Sequence, residues 1–483
     1  MLIPLQTCAE LEPAEVGRKA WVLAWAATRG LPTPGGVVLS AISFWAALDA
    51  CGSGEQARYL AANALRLDPR HSLDLAARIH AALAHPDVLR LARDHAADAW
   101  AGLAARPLVA RSSSAQEDGR AATFAGIFVS RLDLASPDEL AEAIVACWRS
   151  AFSPVALQYV MRMRAAQLDL SLAVLIQPQV RADWYGLYVS ADPVSGAPMP
   201  IAELTRQGPD ALVNGAIAAV HATLRDGAWA SVPEEATLLP SLQRLHGMAG
   251  RLSELVPGAL DIEFAVVAAG AAPVLLQCRP VTPSRAPMTS MPGAIANAVV
   301  IGRPCAPGSV VGLALPPDAT SPDDVPRIGI VGRLNTESYE LVLSHAGLIA
   351  TDDLSPLSHV AILCRELGVP LVSGVGEHAR RLQGSWIALD GASGAAGHLS
   401  DKWFANVDSR SLESALYIAD VERSLMLLIS KGASPGAAAT MERQWARALG
   451  ASQARILPTP LAPAEIRQLR ALEYPPSGGS EPG

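Results

Sequence analysis

The stretch at 354–376, LSPLSHVAILCRELGVPLVSGVG, predicts a turn, a short helix and a buried strand in immediate succession. Serines precede the helix as caps, Pro356 suits its start and Gly368 is placed to end it. His359 is therefore expected in the first helical turn. The unpaired N–H groups and the positive dipole end of a helix N-terminus stabilise a group there that becomes anionic.

Position alone leaves two interpretations of His359. A lone histidine is more often a structural residue with satisfied hydrogen bonds than a catalytic one. A histidine in a first helical turn can also carry a phosphoryl group, whose negative charge the helix terminus would stabilise. The residues around His359 bear on this choice.

The sequence around His359 resembles the phosphohistidine signature of the enzymes related to phosphoenolpyruvate synthase and pyruvate phosphate dikinase. The shared positions are Ser358, His359, Ala361, Ile362, Arg365, Glu366, Gly368 and Pro370, with Asp390 and Gly391 at a later strand turn. The resemblance implies that His359 is the carrier, on a swivelling domain that shuttles a phosphoryl group between two sites. The family usually has a glycine pair before the Ser-His, whereas this chain has DLSP at 353–356, so a stiffer approach to the histidine is expected.

Length and composition indicate several folded domains. The chain has 483 residues, and about 150 residues per domain predicts roughly three of them. Half of the residues are hydrophobic and 17% are charged, a balance typical of folded cores rather than of disorder. Much of the apolar content is alanine, so helices are expected to be abundant.

The charge balance argues against polyanionic partners. A net charge of −8 is not typical of a nucleic-acid-binding protein or of a basic membrane-binding surface, so neither partner is expected. Local basic sites for a phosphate-bearing ligand remain compatible with this total.

Cysteine usage and the N-terminus predict a cytoplasmic protein. The six cysteines are scattered without a Cys-x-x-Cys pair, which suits reduced thiols and indicates neither a zinc site nor a disulfide framework. The first residues, MLIPLQTCAELEP, lack a basic region, and no apolar run reaches the ~18 residues of a membrane helix. A soluble, unprocessed chain is therefore expected.

Lys19 lies on a helix predicted at 16–25, which the Gly- and Pro-rich segment at 30–36 then ends. It is the one lysine before Lys402, in a chain that otherwise uses arginine for most of its positive charge. That pattern is a weak indication of a site that needs a compact point charge on a flexible stem. The stretch also resembles the opening of the family's nucleotide-binding domain, where the matching lysine contacts nucleotide phosphates.

The segment at 108–134, LVARSSSAQEDGRAATFAGIFVSRLDL, places an arginine and small flexible residues between two predicted strands. Such residues can form a lid whose backbone N–H groups cover phosphates, and they are equally typical of an ordinary polar hairpin. The segment resembles the family's ATP-grasp domain through Arg111, Ser112, Ser113, Glu117, Asp118, Phe124, Ala125 and Gly126. The resemblance implies that Arg111 holds the transferring phosphate and that the loop from Gly126 to Ser130 closes over the triphosphate. Ile127 replaces the family's usual glutamine in this lid.

Gln177 ends a strand predicted in LAVLIQPQV. It either caps the strand by local hydrogen bonding or, as the family resemblance implies, lines the adenine pocket.

The segment at 261–282 predicts a hairpin that turns about Gly270. Glu263 then faces Gln277 and Asp261 faces Arg279, with all four side chains on one face, because strand side chains alternate. A carboxylate and an amide oxygen side by side suit Mg²⁺, while an arginine beside them can neutralise phosphate; the alternative is a surface salt-bridge ladder. The same residues resemble the family's metal-binding pair, Glu263 and Gln277, and its terminal arginine.

The predicted architecture is of mixed α+β and α/β multidomain type. The resemblance implies an ATP-grasp nucleotide-binding domain at 1–285, a linker at 286–294 and a compact β/α phosphohistidine swivelling domain at 295–400. A helical tail with a disordered end is predicted at 401–483, with apolar positions that could dock a partner. We expect no segment matching the barrel that binds pyruvate in the larger family members.

The function implied by the resemblance is ATP-dependent phosphotransfer of dikinase type. ATP and Mg²⁺ would bind at Lys19, Arg111, Gly126, Ser130, Gln177, Glu263, Gln277 and Arg279, with Arg111 and His359 catalytic and Glu263 and Gln277 holding the metal. The products would be AMP and phosphate, and an unknown small-molecule acceptor would bind a partner subunit or a pocket formed by a homo-oligomer. Two alternatives remain: an ATP-driven ligase that activates its substrate by phosphorylation, and a non-catalytic nucleotide-binding regulator.

Overall fold

The computed structural model describes residues 1–119, 123–163, 170–215, 220–230, 237–281, 284, 295–319 and 326–399. Residue contacts divide the chain into two compact units. The first consists of Met1–Ser284, Leu334–Leu343 and Ser355–Leu367, and the second of Arg285–Arg333, Ser344–Leu354 and Gly368–Gly483. The linker predicted at 286–294 and the tail predicted at 401–483 lie outside the described residues.

The first unit is rich in helices, as the alanine content predicts. In chain order they are α1 (Pro13–Val16), α2 (Arg18–Thr28), α3 (Ala41–Ala50), α4 (Gly54–Asn63), α5 (Pro69–Ala82), α6 (Pro86–Gly102), α7 (Pro137–Ser150), α8 (Pro154–Met163), α9 (Pro209–Val213), α10 (Leu239–Leu252), α11 (Tyr339–Ser344) and α12 (His359–Leu367). Local sequence explains several of the starts. At α5, Pro69 occupies the first turn and the Asp68 carboxylate accepts hydrogen bonds from two backbone N–H groups of that turn.

The strands of the first unit form two antiparallel sheets. The strands are β1 (Leu2–Pro4), β2 (Val37–Leu39), β3 (Leu108–Ser114), β4 (Ser130–Leu134), β5 (Leu172–Pro178), β6 (Trp184–Val189), β7 (Ile201–Thr205), β8 (Val220–Arg225), β9 (Ala228–Ala230), β10 (Leu260–Val266) and β11 (Val274–Pro280). The five-stranded sheet has the order β1-β2-β5-β3-β4, and the six-stranded sheet has the order β11-β10-β6-β7-β8-β9. All neighbouring pairs in both sheets are antiparallel.

The helix that carries Lys19 differs from the predicted one in its bounds. Gly17 adopts φ of 76°, which separates the short α1 from α2, so the main helix begins at Arg18 and continues to Thr28. A Cβ at Gly17 would lie 2.1 Å from the backbone oxygen of Ser113, so only glycine allows this close approach of the chain to β3.

A shared core holds the two sheets of the first unit together. Apolar residues of α2 and α10 pack with strands from both sheets, including Leu23, Leu175, Leu245 and Ile262, all fully buried. Burial of each such side chain contributes about 1.5–3 kcal/mol relative to exposure. The core thus fixes β5 of one sheet and β10 of the other within one rigid framework.

The second unit is built on a mixed sheet. Its strands are β12 (Ile295–Ile301), β13 (Arg303–Ala306), β14 (Ser309–Leu315), β15 (Arg327–Val331), β16 (Gly347–Ala350), β17 (Leu371–Ser373), β18 (Trp386–Asp390) and β19 (Ala395–Leu399), in the order β12-β19-β18-β14-β15-β16-β17-β13. The run from β14 to β17 is parallel, and its inner strands β16 and β17 are entirely buried, as is typical of parallel strands. Helices and antiparallel sheets in the first unit, together with a separate mixed sheet in the second, confirm the predicted mixed α/β, multidomain class.

One helical stretch, Pro137–Met163, is long and apolar enough to meet a length-and-composition test for a membrane span, which differs from the prediction that no apolar run is so long. It is divided between α7 and α8, and 61% of its apolar window is buried inside the protein. Core helices of globular proteins pass the same test, so this is weak evidence for a membrane span.

Candidate active site

Helix α12 begins at His359, which therefore lies in the first helical turn, as predicted. Ser358 caps the helix, because its hydroxyl accepts a hydrogen bond from the backbone N–H of Ala361 at 3.3 Å. Gly368 follows the last helical residue with φ of 67°, the left-handed conformation that ends many helices. Strand β17 comes next, so the predicted turn, helix and buried strand are confirmed.

Ser355 anchors the turn before α12 instead of capping it. Its hydroxyl donates a hydrogen bond to the buried Glu203 carboxylate on β7 and accepts one from the backbone N–H of Leu357 at 2.9 Å. The Leu357 side chain packs in a small apolar cluster with residues of β6 and α9. The turn is therefore tied to the six-stranded sheet of the first unit.

Gly126 lies against the His359 ring. A Cβ at position 126 would be 2.6 Å from His359 Nδ1 and 2.1 Å from the Tyr339 hydroxyl oxygen, and Gly126 has φ of 64°. Contacts this short do not occur between real side chains, so the imidazole occupies space that only glycine leaves open.

The β10–β11 hairpin pairs as the sequence predicts. Asp261 faces Arg279 and Glu263 faces Gln277. A register shift follows Glu263, so Phe264 faces Leu275 and the simple pairing rule ends there. The bulge lies immediately after the two pairs that the site needs, and therefore does not change their relation.

Arg111 joins the two sheets at this hairpin. Its Nη2 donates to Glu263 Oε2 at 3.0 Å and to Gln277 Oε1 at 2.7 Å, and its Nη1 donates to the backbone oxygen of Leu276 at 2.7 Å. Arg111 faces Ser130 in the β3–β4 ladder, so the end of the predicted lid lies beside the same guanidinium. One cationic nitrogen thus already lies between the two oxygens that were predicted to hold a metal.

Asp118, which follows β3, contacts two side chains of the β10–β11 hairpin, Gln277 and Arg279. Gln277 Nε2 donates to Asp118 Oδ1 at 2.8 Å, which turns the amide oxygen of Gln277 toward Glu263 and Arg111. Arg279 Nε donates to Asp261 Oδ2 at 2.8 Å, and its Nη1 lies 3.8 Å from Asp118 Oδ1. Burial, and next the Glu117 carboxylate, raise the pKa of Asp118 to about 7.

Lys19 reaches the same region from α2. Its Nζ lies 2.8 Å from Glu117 Oε1 and donates to the backbone oxygen of Ser112 at 3.0 Å, and only 4% of the side chain is exposed. A lysine so deeply buried is uncommon unless it is paired. The weak sequence signal from this isolated lysine therefore corresponds to a specific, buried position.

Gln177 lies at the end of β5, where its Nε2 donates to the backbone oxygen of Gly35 at 2.6 Å. Gly35 is 142 positions away along the chain, so this bond is not the local one that the structural interpretation predicts. Gln177 also lines the cavity described next, and its role in an adenine pocket stays a prediction.

A cavity of about 300 Å³ in the first unit brings all the predicted site residues together. They are Lys19, Arg111, Gly126, Ser130, Gln177, Glu263, Gln277, Arg279 and His359. The volume lies at the lower end of the ~300–1,000 Å³ typical of small-molecule sites. These residues come from α2, β3, β5, the lid, the β10–β11 hairpin and α12, so the cavity is a convergence of distant parts of the chain.

The cavity keeps His359 neutral. The ring is partly exposed to the cavity but surrounded by protein, and this burial, followed by the positive charge of Arg279, lowers its pKa to about 3. Lys19 and Arg111 act in the same direction, while Glu263 opposes them. An unprotonated imidazole nitrogen is thus available throughout the neutral range, more securely than the unperturbed value would provide.

Glu263 stays ionised beside His359 in the same cavity. Burial alone would raise the pKa of this carboxyl, but the charges of Arg111 and Arg279 hold it below its usual value. The result is a carboxylate that can bind a cation at neutral pH.

The donor set at Glu263 and Gln277 fits Mg²⁺. Both oxygens face one cationic nitrogen of Arg111, and carboxylate and amide oxygens are ligands that Mg²⁺ accepts. Across the described part of the chain no group of three or more His, Cys, Asp or Glu side chains could hold a metal. A Mg²⁺ ion here would therefore need phosphate or water oxygens to complete its octahedron, as Mg²⁺ sites in phosphoryl transfer usually do.

Sequence reasoning missed several lining residues. Asp210 and Asn214, from α9 and the turn after it, and Thr336 also line the cavity, and Thr336 Oγ1 donates to Asn214 Oδ1 at 3.3 Å. Neither segment has a pattern that indicates a site. The Pro-Asp start of α9 signals only a helix N-terminus.

If His359 carries a phosphoryl group, as the sequence resemblance implies, replacement of Gly126 by alanine is expected to slow its phosphorylation by about 10–100-fold, because misplacement of a reacting group by roughly 1 Å has costs of this size. The new Cβ would displace either the imidazole or the Tyr339 hydroxyl. Quantitative labelling with radioactive ATP over time measures the rate, and equilibrium binding of ATP is expected to change little.

The matched control is Gly52→Ala. Gly52 has φ of 71°, close to that of Gly126, but a Cβ there meets no atom within 4 Å. It therefore reports the backbone strain alone. Equal rates for the Gly126 and Gly52 variants would contradict the close approach of His359 to the lid.

Comparison with known proteins bears on this site. A family model described as the AMP/ATP-binding domain of pyruvate phosphate dikinase matches residues 13–218, which include Lys19, Arg111 and Gln177. A second model, the mobile domain of PEP-utilising enzymes, matches residues 318–394 and includes His359. The chain belongs to the phosphoenolpyruvate synthase and pyruvate phosphate dikinase family. The hairpin that carries Glu263, Gln277 and Arg279 lies outside both matched ranges.

Individual family members are distant in sequence. A probable phosphoenolpyruvate synthase of Archaeoglobus fulgidus is 25% identical over 322 residues, covering 59% of this chain and 42% of that protein. The phosphoenolpyruvate synthase of Pyrococcus furiosus is 24% identical over 327 residues, covering 59% of this chain and 40% of that protein. The chain therefore spans well under half the length of these relatives.

A third relative has a different name. The prodigiosin synthesizing transferase PigC of Serratia marcescens is 31% identical over 196 residues, covering 41% of this chain and 20% of that protein.

Proposed function

We propose that this chain is an ATP-dependent phosphotransferase of dikinase type, in which ATP phosphorylates His359 and the phosphohistidine passes its group to an acceptor. The observation that carries the proposal is the cavity in which a neutral His359 lies among Lys19, Arg111 and Arg279. A neutral nucleophile beside fixed cations suits phosphoryl transfer, because catalysis of that reaction depends on position and on charge neutralisation. The match to an AMP/ATP-binding model supports ATP as the donor.

The proposal includes the finer fold and domain assignments. We propose an ATP-grasp domain at 1–285, followed by the linker at 286–294, and a swivelling domain at 295–400 that bears His359. The two antiparallel sheets joined by Arg111 support the first assignment, and the match to a mobile-domain model supports the last. The tail at 401–483 is not assigned a role in catalysis.

Each predicted site residue has a role in the proposal. Lys19, Arg111 and Arg279 would neutralise phosphate oxygens, while Gly126 and Ser130 belong to the lid over the triphosphate and Gln177 to the adenine pocket. Mg²⁺ held by Glu263 and Gln277 would supply further neutralisation of the phosphate charge. Because Arg111 now pairs with those same two oxygens, binding of the metal would free its guanidinium for phosphate.

The proposed first reaction balances as follows. The unprotonated nitrogen of His359 forms a bond to the β-phosphorus of ATP, and the bond between that phosphorus and the AMP oxygen breaks, with AMP keeping the electron pair. The oxygen of a water molecule then forms a bond to the γ-phosphorus, and the bond from that phosphorus to the β-phosphoryl oxygen breaks, with the β-phosphoryl oxygen keeping the electron pair, so inorganic phosphate and a proton are released. The products are AMP, phosphate and β-phosphoryl-His359, and the N-terminus of α12 would stabilise the new negative charge.

Parallel incubation of the protein with Mg²⁺ and either β-labelled or γ-labelled ATP tests this function. We expect label from the β position only, in an adduct that is lost in mild acid and kept in base, with release of AMP. Label from the γ position alone would make the protein an ordinary kinase. Absence of any label would favour the non-catalytic nucleotide-binding regulator.

An ATP-driven ligase is the second candidate, favoured by the similarity to the prodigiosin synthesizing transferase. In that case phosphorylation of the acceptor would activate it for condensation with a second substrate. Mass spectrometry of the products separates the two functions, since a ligase releases a joined product and a phosphotransferase releases a phosphorylated one.

The acceptor belongs to the proposal as well. The predicted site residues are assigned above to nucleotide, metal and carrier, and we propose that the acceptor binds a partner subunit or a pocket formed by a homo-oligomer.

A further inference from the structure

Two buried side chains hold the backbone at 123–125, which leads into the lid at Gly126 beside His359. Glu366 Oε1 accepts a hydrogen bond from the backbone N–H of Thr123 at 2.7 Å, and the Tyr339 hydroxyl donates to the backbone oxygen of Ala125 at 2.9 Å. Glu366 is completely buried and Tyr339 is 3% exposed. The loop between these two bonds leads directly into Gly126, so both of its buried backbone groups depend on side chains from α11 and α12.

Glu366 is well placed to control the position of His359. It lies about two helical turns after His359, and therefore on the same face of α12. Its second oxygen, Oε2, accepts a hydrogen bond from the Tyr159 hydroxyl at 2.9 Å, so both oxygens have partners outside the helix. These two hydrogen bonds near the end of α12 restrict both the rotation of the helix and its movement along its own axis.

The lid segment needs such support. Phe124 has φ of 52°, a conformation that residues with a side chain rarely adopt unless the surroundings hold it. Its ring stacks on Phe128 at 4.9 Å and makes an edge contact with Tyr159 at 4.8 Å. Tyr159 therefore contacts both the lid and Glu366, and links the two.

We propose that Glu366 is a positioning residue, acting with Tyr159 and Tyr339, that couples the position of His359 in the cavity to the conformation of the backbone at 123–125, which leads into the lid at Gly126. This inference rests on the proposed function. Glu366 does not line the cavity, so it acts through the lid and the helix rather than on the nucleotide. When α12 leaves this position, the N–H of Thr123 loses its partner Glu366, and the segment that leads into the lid keeps only the bond from Tyr339 on α11.

The test compares Glu366→Leu with Glu366→Gln in the full chain. Leucine has a similar volume but no acceptor, whereas glutamine can still accept from Thr123 and can donate to the Tyr159 oxygen. We measure the rate constant and the final extent of His359 labelling in a single turnover with Mg²⁺ and labelled ATP, together with ATP affinity. We expect Glu366→Leu to lower the rate constant about 10–100-fold, the size of effect typical of a misplaced reacting group. ATP affinity should stay unchanged, and glutamine should restore most of the rate.

Two tyrosine variants provide a matched pair. Tyr159→Phe removes one partner of Glu366 and should lower the rate constant in the same direction. Tyr188→Phe removes a hydroxyl of a fully buried tyrosine that pairs with His246 instead, away from the cavity lining, and should leave the rate constant unchanged.

A second measurement does not depend on activity. Hydrogen–deuterium exchange of peptides covering Thr123–Phe128, without nucleotide, should be faster in Glu366→Leu than in wild type or in Tyr188→Phe. Exchange can be measured in any variant that folds. If Glu366→Leu does not fold, the exchange rate of the same peptides is measured in Tyr159→Phe.

The outcomes separate the inference from the function on which it rests. One outcome is that wild type is labelled at His359, while in Glu366→Leu a smaller fraction of the protein is labelled but with the wild-type rate constant. In that case Glu366 has a structural role and the inference is wrong. A loss of ATP affinity in the leucine variant, or lid exchange at the wild-type rate, would also overturn it. If wild type itself forms no phosphohistidine, the proposed function fails first.

Discussion

Replacement of His359 by alanine is expected to reduce acid-labile labelling from ATP to background. The variant loses the proposed nucleophile. Burial and the positive charges around this ring keep it neutral and reactive, so no other side chain is expected to take its place. ATP binding should persist, because His359 is one of many residues that line the cavity. Labelling with β-labelled ATP and equilibrium nucleotide binding measure the two properties separately.

His246→Ala is the control for this experiment. His246 belongs to the same unit, pairs with the Tyr188 hydroxyl at 2.9 Å and does not line the cavity. Its removal should leave labelling intact. Label that persists in His359→Ala would move the carrier to another residue, whereas loss of both labelling and ATP binding would make His359 a structural residue.

Replacement of Glu263 by alanine is expected to lower the rate of His359 labelling about 10²–10³-fold, the usual effect of removing one electrostatic contact that stabilises developing charge. Arg111→Ala should lower the rate to a similar extent. The two side chains pair at 3.0 Å within the cavity and are 15–17% exposed, so water can solvate the partner that remains and the variants should fold. Glu263→Gln retains a neutral oxygen, and it should lose activity too if the negative charge holds Mg²⁺.

The measurement is the rate of labelling as a function of Mg²⁺ concentration, with circular dichroism to confirm the fold. Excess Mg²⁺ should partly rescue Glu263→Gln but not Arg111→Ala, because only the first weakens a metal ligand. The control is Glu254→Ala, since Glu254 is exposed and lies outside the cavity lining. Normal labelling by a folded Glu263→Ala protein would remove this glutamate from the metal site.

Local sequence rules were sufficient for several parts of the site. The turn at Gly270 and the alternation of strand side chains determined that Glu263 faces Gln277 and Asp261 faces Arg279. Capping residues predicted that His359 lies in the first turn of α12 and that the helix ends before Gly368. These features depend on residues that are near one another in sequence or related by one turn, so a short pattern contains the whole cause.

Other local features escaped the sequence patterns. The register shift after Glu263 and the break at Gly17 between α1 and α2 follow from how the backbone packs against its neighbours. A Cβ at Gly17 would collide with β3, which lies far away along the chain. Periodicity alone therefore predicted one continuous helix where the structure has two.

The contacts around His359 were decided by the tertiary structure. Glu366 and Thr123 are separated by 243 positions, and Tyr339 and Ala125 by 214, so no local pattern could pair them. The lowered pKa of His359 likewise arises because folding buries the ring beside Arg279, Lys19 and Arg111, which come from three different elements. The sequence by itself determined which residues have the chemistry for phosphoryl transfer, and the packing of distant elements into one core decided that they share a cavity and that His359 is neutral within it.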